Sequence, residues 1–206
     1  MDFAENTPDA VGRDIVDLVK HLNVSKVGIV GDSLACASAV WAAAELPGVV
    51  QGIVLCGAFV RDVPMSAAVA LVIKTMIMWP WGPRLWSMWY GTLYPTRKPA
   101  DFAQYTRTLR ETLSKPGQLR ALQRFVASSK AKCEARIPEV KCPVFFIMGS
   151  KDPDFAAPAV EAETQSKRFA NARPVLMVEG AGHYPHAEFP DVVGPAITGF
   201  FRDVGL

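Results

Sequence analysis

Apolar and polar positions along the chain alternate between two periods. Val11, Ile15, Leu18, Val19 and Leu22 recur at helical spacing. Thr7 precedes Pro8-Asp9, the order of an N-cap followed by proline in the first turn, and Asn23 offers a stop. Residues 26–31 (KVGIVG) are a short β-branched run that reads as a strand ending in Gly31-Asp32-Ser33. From Leu34 the pattern is helical again (LACASAVWAAAEL) until Pro47-Gly48. Residues 49–58 (VVQGIVLCGA) are apolar but for Gln51, as a strand buried on both faces would be.

From Phe59 to Ile137 the character changes. No clear strand is present, and the helical pieces are interrupted by six prolines, from Pro64 to Pro116. The alternation then resumes, with a strand at 143–149 (PVFFIMG) and a helix at 158–170. A strand at 174–179 (PVLMVE) and a final helix at 190–202 complete it. Strands separated by helices predict a parallel sheet with crossover connections, so the fold class is α/β. The irregular helical block is an insertion between the second and third strands. The predicted division is a core of residues 1–59 and 138–206 and an insertion of residues 60–137.

Composition narrows the class. Half of the 206 residues are apolar and a fifth are charged, which excludes a disordered tail and a disulfide miniprotein. The net charge is +2, with no Lys/Arg run in the sequence, so no nucleic-acid partner is expected. The N-terminus (MDFAENTPDA) lacks a basic region followed by an apolar one, so no secretory signal is expected. Cys36, Cys56, Cys133 and Cys142 form no CxxC pair and read as free thiols in a reducing, cytoplasmic setting. Three histidines without a ligand cluster give no metal site and no cofactor. The most apolar stretch, 65–81, is interrupted by Lys74 and is shorter than the roughly 20 residues of a spanning helix. Trp79, Trp81, Trp86 and Trp89 crowd its end. With no basic run beside them, they read as pocket or core residues ahead of a membrane-interface segment.

Candidate chemistry sits at strand ends. Ser33 falls where a strand gives way to a helix. A tight turn there holds its hydroxyl off the sheet, with the Leu34 amide at the helix start able to donate to an oxyanion. Asp152 and Asp154 follow the third strand in GSKDPDF, and His183 follows the fourth in GAGHYPH. A serine, an acid and a histidine, in that order, each follow a parallel strand at the edge where such sheets bind ligands.

On these residues the sequence resembles the α/β-hydrolase family. Gly31-Asp32-Ser33-Leu34-Ala35 resembles its nucleophile elbow, GSKDPDF its acid loop and GAGHYPH its histidine loop. The insertion resembles its helical cap. The resemblance implies Ser33 as nucleophile, His183 as base and Asp152 as the acid that orients it, with Asp154 the alternative acid. Pro153 between the two acids is expected to keep their carboxylates from pointing the same way. His186 is expected to be a loop residue and His21 a surface or packing residue. Three departures stand out. Ala35 replaces the elbow's second glycine. Asp32 puts a carboxylate beside the nucleophile and is also a candidate pocket residue. KVGIVG resembles the family's fifth strand, so the fold is expected to be N-terminally truncated, without the front strands and the loop that supplies a second oxyanion amide. The missing part amounts to roughly two βαβ units of about 30 residues each. Strand 26–31 would then be an exposed edge, covered by a second copy or by another chain.

The expected function is therefore serine hydrolysis of a carboxylic ester, a small molecule with apolar parts. The letters Gly31-Asp32-Ser33-Leu34 also open a block of a different hydrolase family, but the Gly-x-Asn-Asp and C-terminal Asp-x-x-His blocks that it needs are absent. The remaining alternative is a truncated hydrolase that is catalytically weak or inactive and acts as a binding or interaction module.

Overall fold

A computed structural model of the chain describes residues 5–64 and 66–206. The first four residues of the N-terminal segment read for a signal, and Met65 at the head of the apolar stretch, lie outside them. Helix α1 (Pro8–Leu22) begins as the sequence predicts, with Thr7 Oγ1 accepting from Ala10 N at 3.3 Å. It ends at Asn23, whose backbone is left-handed at φ 51°. Its buried face differs from the predicted one. Leu18 and Leu22 are 55% and 58% exposed, while Gly12, Val16 and Val19 are buried. The cause is Trp41, whose side chain lies where a Cβ on Gly12 would stand, 2.6 Å away. The helix docks through its smallest residue rather than its largest.

Strand β1 (Val27–Asp32), helix α2 (Ala35–Glu45) and strand β2 (Val50–Cys56) follow. Five helices stand between β2 and β3: α3 (Ala67–Met76), α4 (Gly82–Tyr90), α5 (Phe102–Leu113), α6 (Gln118–Val126) and α7 (Ala131–Glu134). Then come β3 (Val144–Gly149), α8 (Pro158–Ser166), β4 (Leu176–Val178), α9 (Pro185–Glu188) and α10 (Pro190–Asp203). The fourth strand keeps three of its six predicted residues.

The sheet is parallel throughout, in the order β1-β2-β3-β4. Alternation along β2 divides its side chains between two cores. Ile53 and Leu55 pack with Cys36, Ala39 and Val40 of α2 and with Phe146. Val54 and Cys56 pack with Ile147, Val193 and Phe200 on the opposite face. Each fully buried side chain of this size contributes roughly 1.5–3 kcal/mol. Because both faces are covered, the strand reads as apolar but for Gln51. Strand β1 is different. It pairs with β2 on one side, no described strand pairs with its other side, and Val30 is 49% exposed. The paired strands end in register, Asp32 opposite Cys56 and Gly149 opposite Val178, so the loops that follow them share one edge.

Candidate active site

Ser33 leaves β1 with φ 54°, one of two non-glycine residues in the left-handed region among those described. Such a conformation costs about 1–3 kcal/mol and persists only where neighbours enforce it. Here the Ser33 amide donates to Cys56 O at 2.9 Å, and its carbonyl accepts from Cys36 N at 3.1 Å and Phe59 N at 3.3 Å. Gly31 makes the turn feasible, since a Cβ there would meet Cys36 Cα at 2.9 Å. Ala35, in place of the glycine expected by resemblance, begins α2 without preventing the turn, and Leu34 is the residue at its N-terminal boundary.

His183 is 1% exposed in the loop after β4. Its amide donates to Leu93 O at 3.0 Å, and its ring lies against Gly57. A Cβ on Gly57 would come within 3.1 Å of Nδ1, which explains a glycine immediately after β2. Nδ1 lies 2.8 Å from Asp152 Oδ2, while Nε2 is buried without a hydrogen-bond partner. The acid and histidine loops are tied together below this pair. Lys151 N donates to Ala181 O at 2.8 Å and Gly180 N to Ser150 Oγ at 2.9 Å.

Asp154 corrects one expectation. Its carboxylate lies 3.6 Å from His183 Nδ1, so both acids face the same imidazole despite Pro153. The reason is local: Asp152 Oδ1 accepts from Asp154 N at 3.0 Å and folds the chain back. Burial raises the Asp154 carboxyl. Burial alone would lower the His183 imidazole. The hydrogen bond and charge of Asp152, with the charges of Asp154 and Asp32, outweigh it and hold the ring above its ordinary 6.5. Asp152, Asp154 and His183 are also the one described group with the geometry to hold a cation, their ligand atoms lying within 4.8 Å of one another. The close Asp152–His183 contact occupies those same atoms.

Asp32 and His186 form a second pair beside Ser33. Asp32 Oδ1 and His186 Nδ1 stand 3.5 Å apart, both buried and neither hydrogen-bonded. Burial pushes the Asp32 carboxyl up to about 7, against the pull of His183. Burial, and then the charge of His183, lower the His186 imidazole. His186 lies in α9 rather than in a loop. Cys36 and Cys56 are buried free thiols, and burial pushes Cys56 up to about 12.

Several residues at the site escaped the sequence reading. Glu188 is 2% exposed. Its Oε1 accepts from Thr96 N at 2.6 Å and Arg97 N at 2.7 Å, and its Oε2 accepts from Gly182 N at 2.7 Å. One carboxylate thus joins the strap at 93–97 to the residue before His183. The only sequence signal was an acid between Ala187 and Phe189. Over the histidine lies a tyrosine cluster. The Tyr184 ring is 4.9 Å from that of His183, and the Tyr90 and Tyr94 hydroxyls are 2.8 Å apart. Of the predicted pocket tryptophans, Trp89 packs against this cluster, and its ring lies 4.6 Å from that of Trp86, tilted by 44°. Trp79 and Trp81 are 65% and 44% exposed and belong to the outer surface. Helix α3, which leads to them, buries none of its residues and packs principally on α4.

A strand-to-helix serine turn, an acid–histidine pair and a parallel sheet that presents both at one edge define a hydrolase-type architecture. The chain belongs to the alpha/beta hydrolase family, whose model matches residues 2–196. It is 26% identical over 194 residues to the human serine hydrolase BPHL, covering 92% of this chain and 60% of that protein. It spans about three fifths of the length of the curated relatives it matches. An esterase from Exiguobacterium antarcticum superposes with a TM-score of 0.78 at 15% identity, covering 97% of this chain and 75% of that one. The 2-hydroxy-6-oxo-6-phenylhexa-2,4-dienoate hydrolase from Rhodococcus sp. strain RHA1 gives 0.77 at 16%, covering 98% and 74%. At these identities the two structures show a shared fold.

Proposed function

We propose that the chain carries a serine-hydrolase site that cleaves a carboxylic ester of a small or medium apolar substrate. The carrying observation is His183, with Nδ1 held by Asp152 at 2.8 Å and Nε2 buried without a partner. Ser33 Oγ attacks the ester carbonyl and Nε2 takes its proton. Asp152 fixes the tautomer and stabilises the imidazolium. Collapse of the tetrahedral intermediate expels the alcohol, which leaves with the proton from Nε2. Water, activated by His183, then hydrolyses the acyl-serine. The Ser33–His183 hydrogen bond forms as substrate binds, as catalytic contacts commonly tighten in the Michaelis complex. The aromatic rings of Phe59 and Tyr184, centred 5.8 and 4.9 Å from His183, suit an apolar acyl or alcohol group.

The Leu34 amide at the start of α2 supplies one oxyanion donor. Two of the nearby amides after β2 are committed, Gly57 N to Ile147 O and Phe59 N to Ser33 O. A hole with one donor fewer lowers turnover on the order of 100- to 1000-fold. This observation supports the second reading, a binding or interaction module with weak catalysis. A fluorophosphonate probe with Ser33→Ala as control separates them. The hydrolase reading expects labelling of the parent and a loss of at least about 1000-fold in turnover in the variant. Folded protein that takes no label leaves the binding module.

A further inference from the structure

We propose that the outer face of helices α3–α5 is a docking surface for a lipid bilayer with anionic headgroups. Two independent features meet there. The first is apolar. Half of the large hydrophobic side chains exposed on the described molecule lie between residues 69 and 88. Leu71, Val72, Trp79 and Met88 are each at least 64% exposed. Apolar surface concentrated in this way, rather than scattered, marks an interaction site.

The second feature is charge, which the net +2 of the whole chain conceals. Between Ser66 and Lys130 stand ten Lys or Arg and two Asp or Glu; the rest of the chain has twelve against eighteen. Arg97 and Lys130 pair with Asp191 and Asp62, and none of the other eight cations forms an ion pair among the described residues. Elsewhere six of the twelve cations, Arg13, Arg61, Lys132, Arg136, Lys167 and Arg168, are matched with acids. The unmatched cations intersperse with the apolar side chains. Met88 shares a cleft of about 530 Å³ with Lys98, Arg107 and Arg110. Trp79 shares an adjoining cleft of about 380 Å³ with Arg84, the same Arg110 and one acid, Glu111. No basic run marks them in the sequence, because Arg84 of α4, Lys98 of the segment before α5, and Arg107 and Arg110 of α5 are brought together by the fold.

Exposed aliphatic and tryptophan side chains among unpaired cations match the acyl and headgroup layers of an anionic interface. A nucleic acid would satisfy the cations and leave Leu71 and Val72 in water. A second copy joined symmetrically through this face would set like charge against like. No described helix is long and apolar enough to cross a membrane, so the contact lies on the surface of the bilayer.

Co-sedimentation of the full chain with vesicles of phosphatidylcholine alone, and of phosphatidylcholine with phosphatidylserine, tests this. Binding to the phosphatidylserine vesicles, released by salt and weak or absent with phosphatidylcholine alone, is the expected result. Arg107→Glu with Arg110→Glu lowers it by about fivefold or more per cation lost. Leu71→Glu with Val72→Glu lowers it independently, and circular dichroism verifies that both variants keep their helices. Equal binding to both vesicles, or binding to neither, overturns the proposal. So does a dimer in sedimentation velocity that Leu71→Glu dissolves, because the face would then belong to a second copy.

Discussion

At the residue scale, the site is a small electrostatic problem. His183 is surrounded by Asp152, Asp154 and Asp32, and their charges keep its imidazole above 6.5 against the effect of burial. In the proposed mechanism His183 must be neutral to accept the Ser33 proton. The acid limb of kcat/KM is therefore expected above pH 6.5. Asp154→Asn removes one negative charge and shifts that limb to lower pH, with turnover kept within about tenfold. Asp152→Asn breaks the orienting bond and lowers turnover by about 10,000-fold. If the two variants exchange behaviours, Asp154 is the acid. Asp32 carries a separate prediction. Its carboxyl is raised to about 7 from an ordinary 3.8, so the fold holds its proton more tightly than the unfolded chain does. Ionising it destabilises the fold progressively between those values, and fully above about pH 7. Asp32→Asn is expected to raise the thermal midpoint above that pH and leave it unchanged below 3.8. The placement of Ser33, Asp152 and His183 after strands was legible because each follows an apolar run that ends abruptly. The nearness of Asp154 was not, because a side-chain turn from Asp152 overrides what Pro153 suggests.

At the element scale, the sheet and its flanking helices follow from local pattern, while the joints between elements do not. β2 was legible because both of its faces are buried. The docking face of α1 was not, because Gly12 beneath Trp41 outweighs the larger Leu18 and Leu22. The Glu188 joint is a contact across about ninety positions of chain, and no local spacing announces it. Glu188→Ala leaves the buried Gly182 amide unpaired, at about 1–3 kcal/mol, and turns the part-buried Thr96 and Arg97 amides to water, so it is expected to lower the thermal midpoint. Glu188→Gln keeps the shape but turns one acceptor into a donor. It is expected to retain the fold and to lower kcat more than it changes KM, with the acid limb displaced. A Gln variant with parental kcat and pH profile would reduce Glu188 to a structural tie.

At the scale of the whole molecule, the open side of β1 is the main unresolved demand of the fold. A parallel strand with one side unpaired offers a row of backbone groups to a neighbour. The partner proposal drawn from the sequence is a second copy or another chain along residues 26–31. It predicts association that Val30→Lys weakens, read by light scattering across concentration. A clean monomer at all concentrations, unchanged by that variant, would remove it. The proposed division into core and insertion rests on the way residues 60–137 break the strand–helix alternation. The charge division between them can be counted in the sequence, but only the fold shows that most of its cations lack acid partners and that several lie beside exposed apolar side chains.

The Glu188 carboxylate has one consequence for how the molecule would respond to a ligand. The strap at 93–97 and the loop bearing His183 share a single acceptor. Displacement of one is therefore felt by the other. A molecule held beneath the tyrosines that steadies the strap also steadies the imidazole. By thermodynamic reciprocity, whatever fixes the imidazole tightens the hold on that molecule by the same factor. Occupancy and the setting of the imidazole are then two readings of one equilibrium, linked through a single buried side chain.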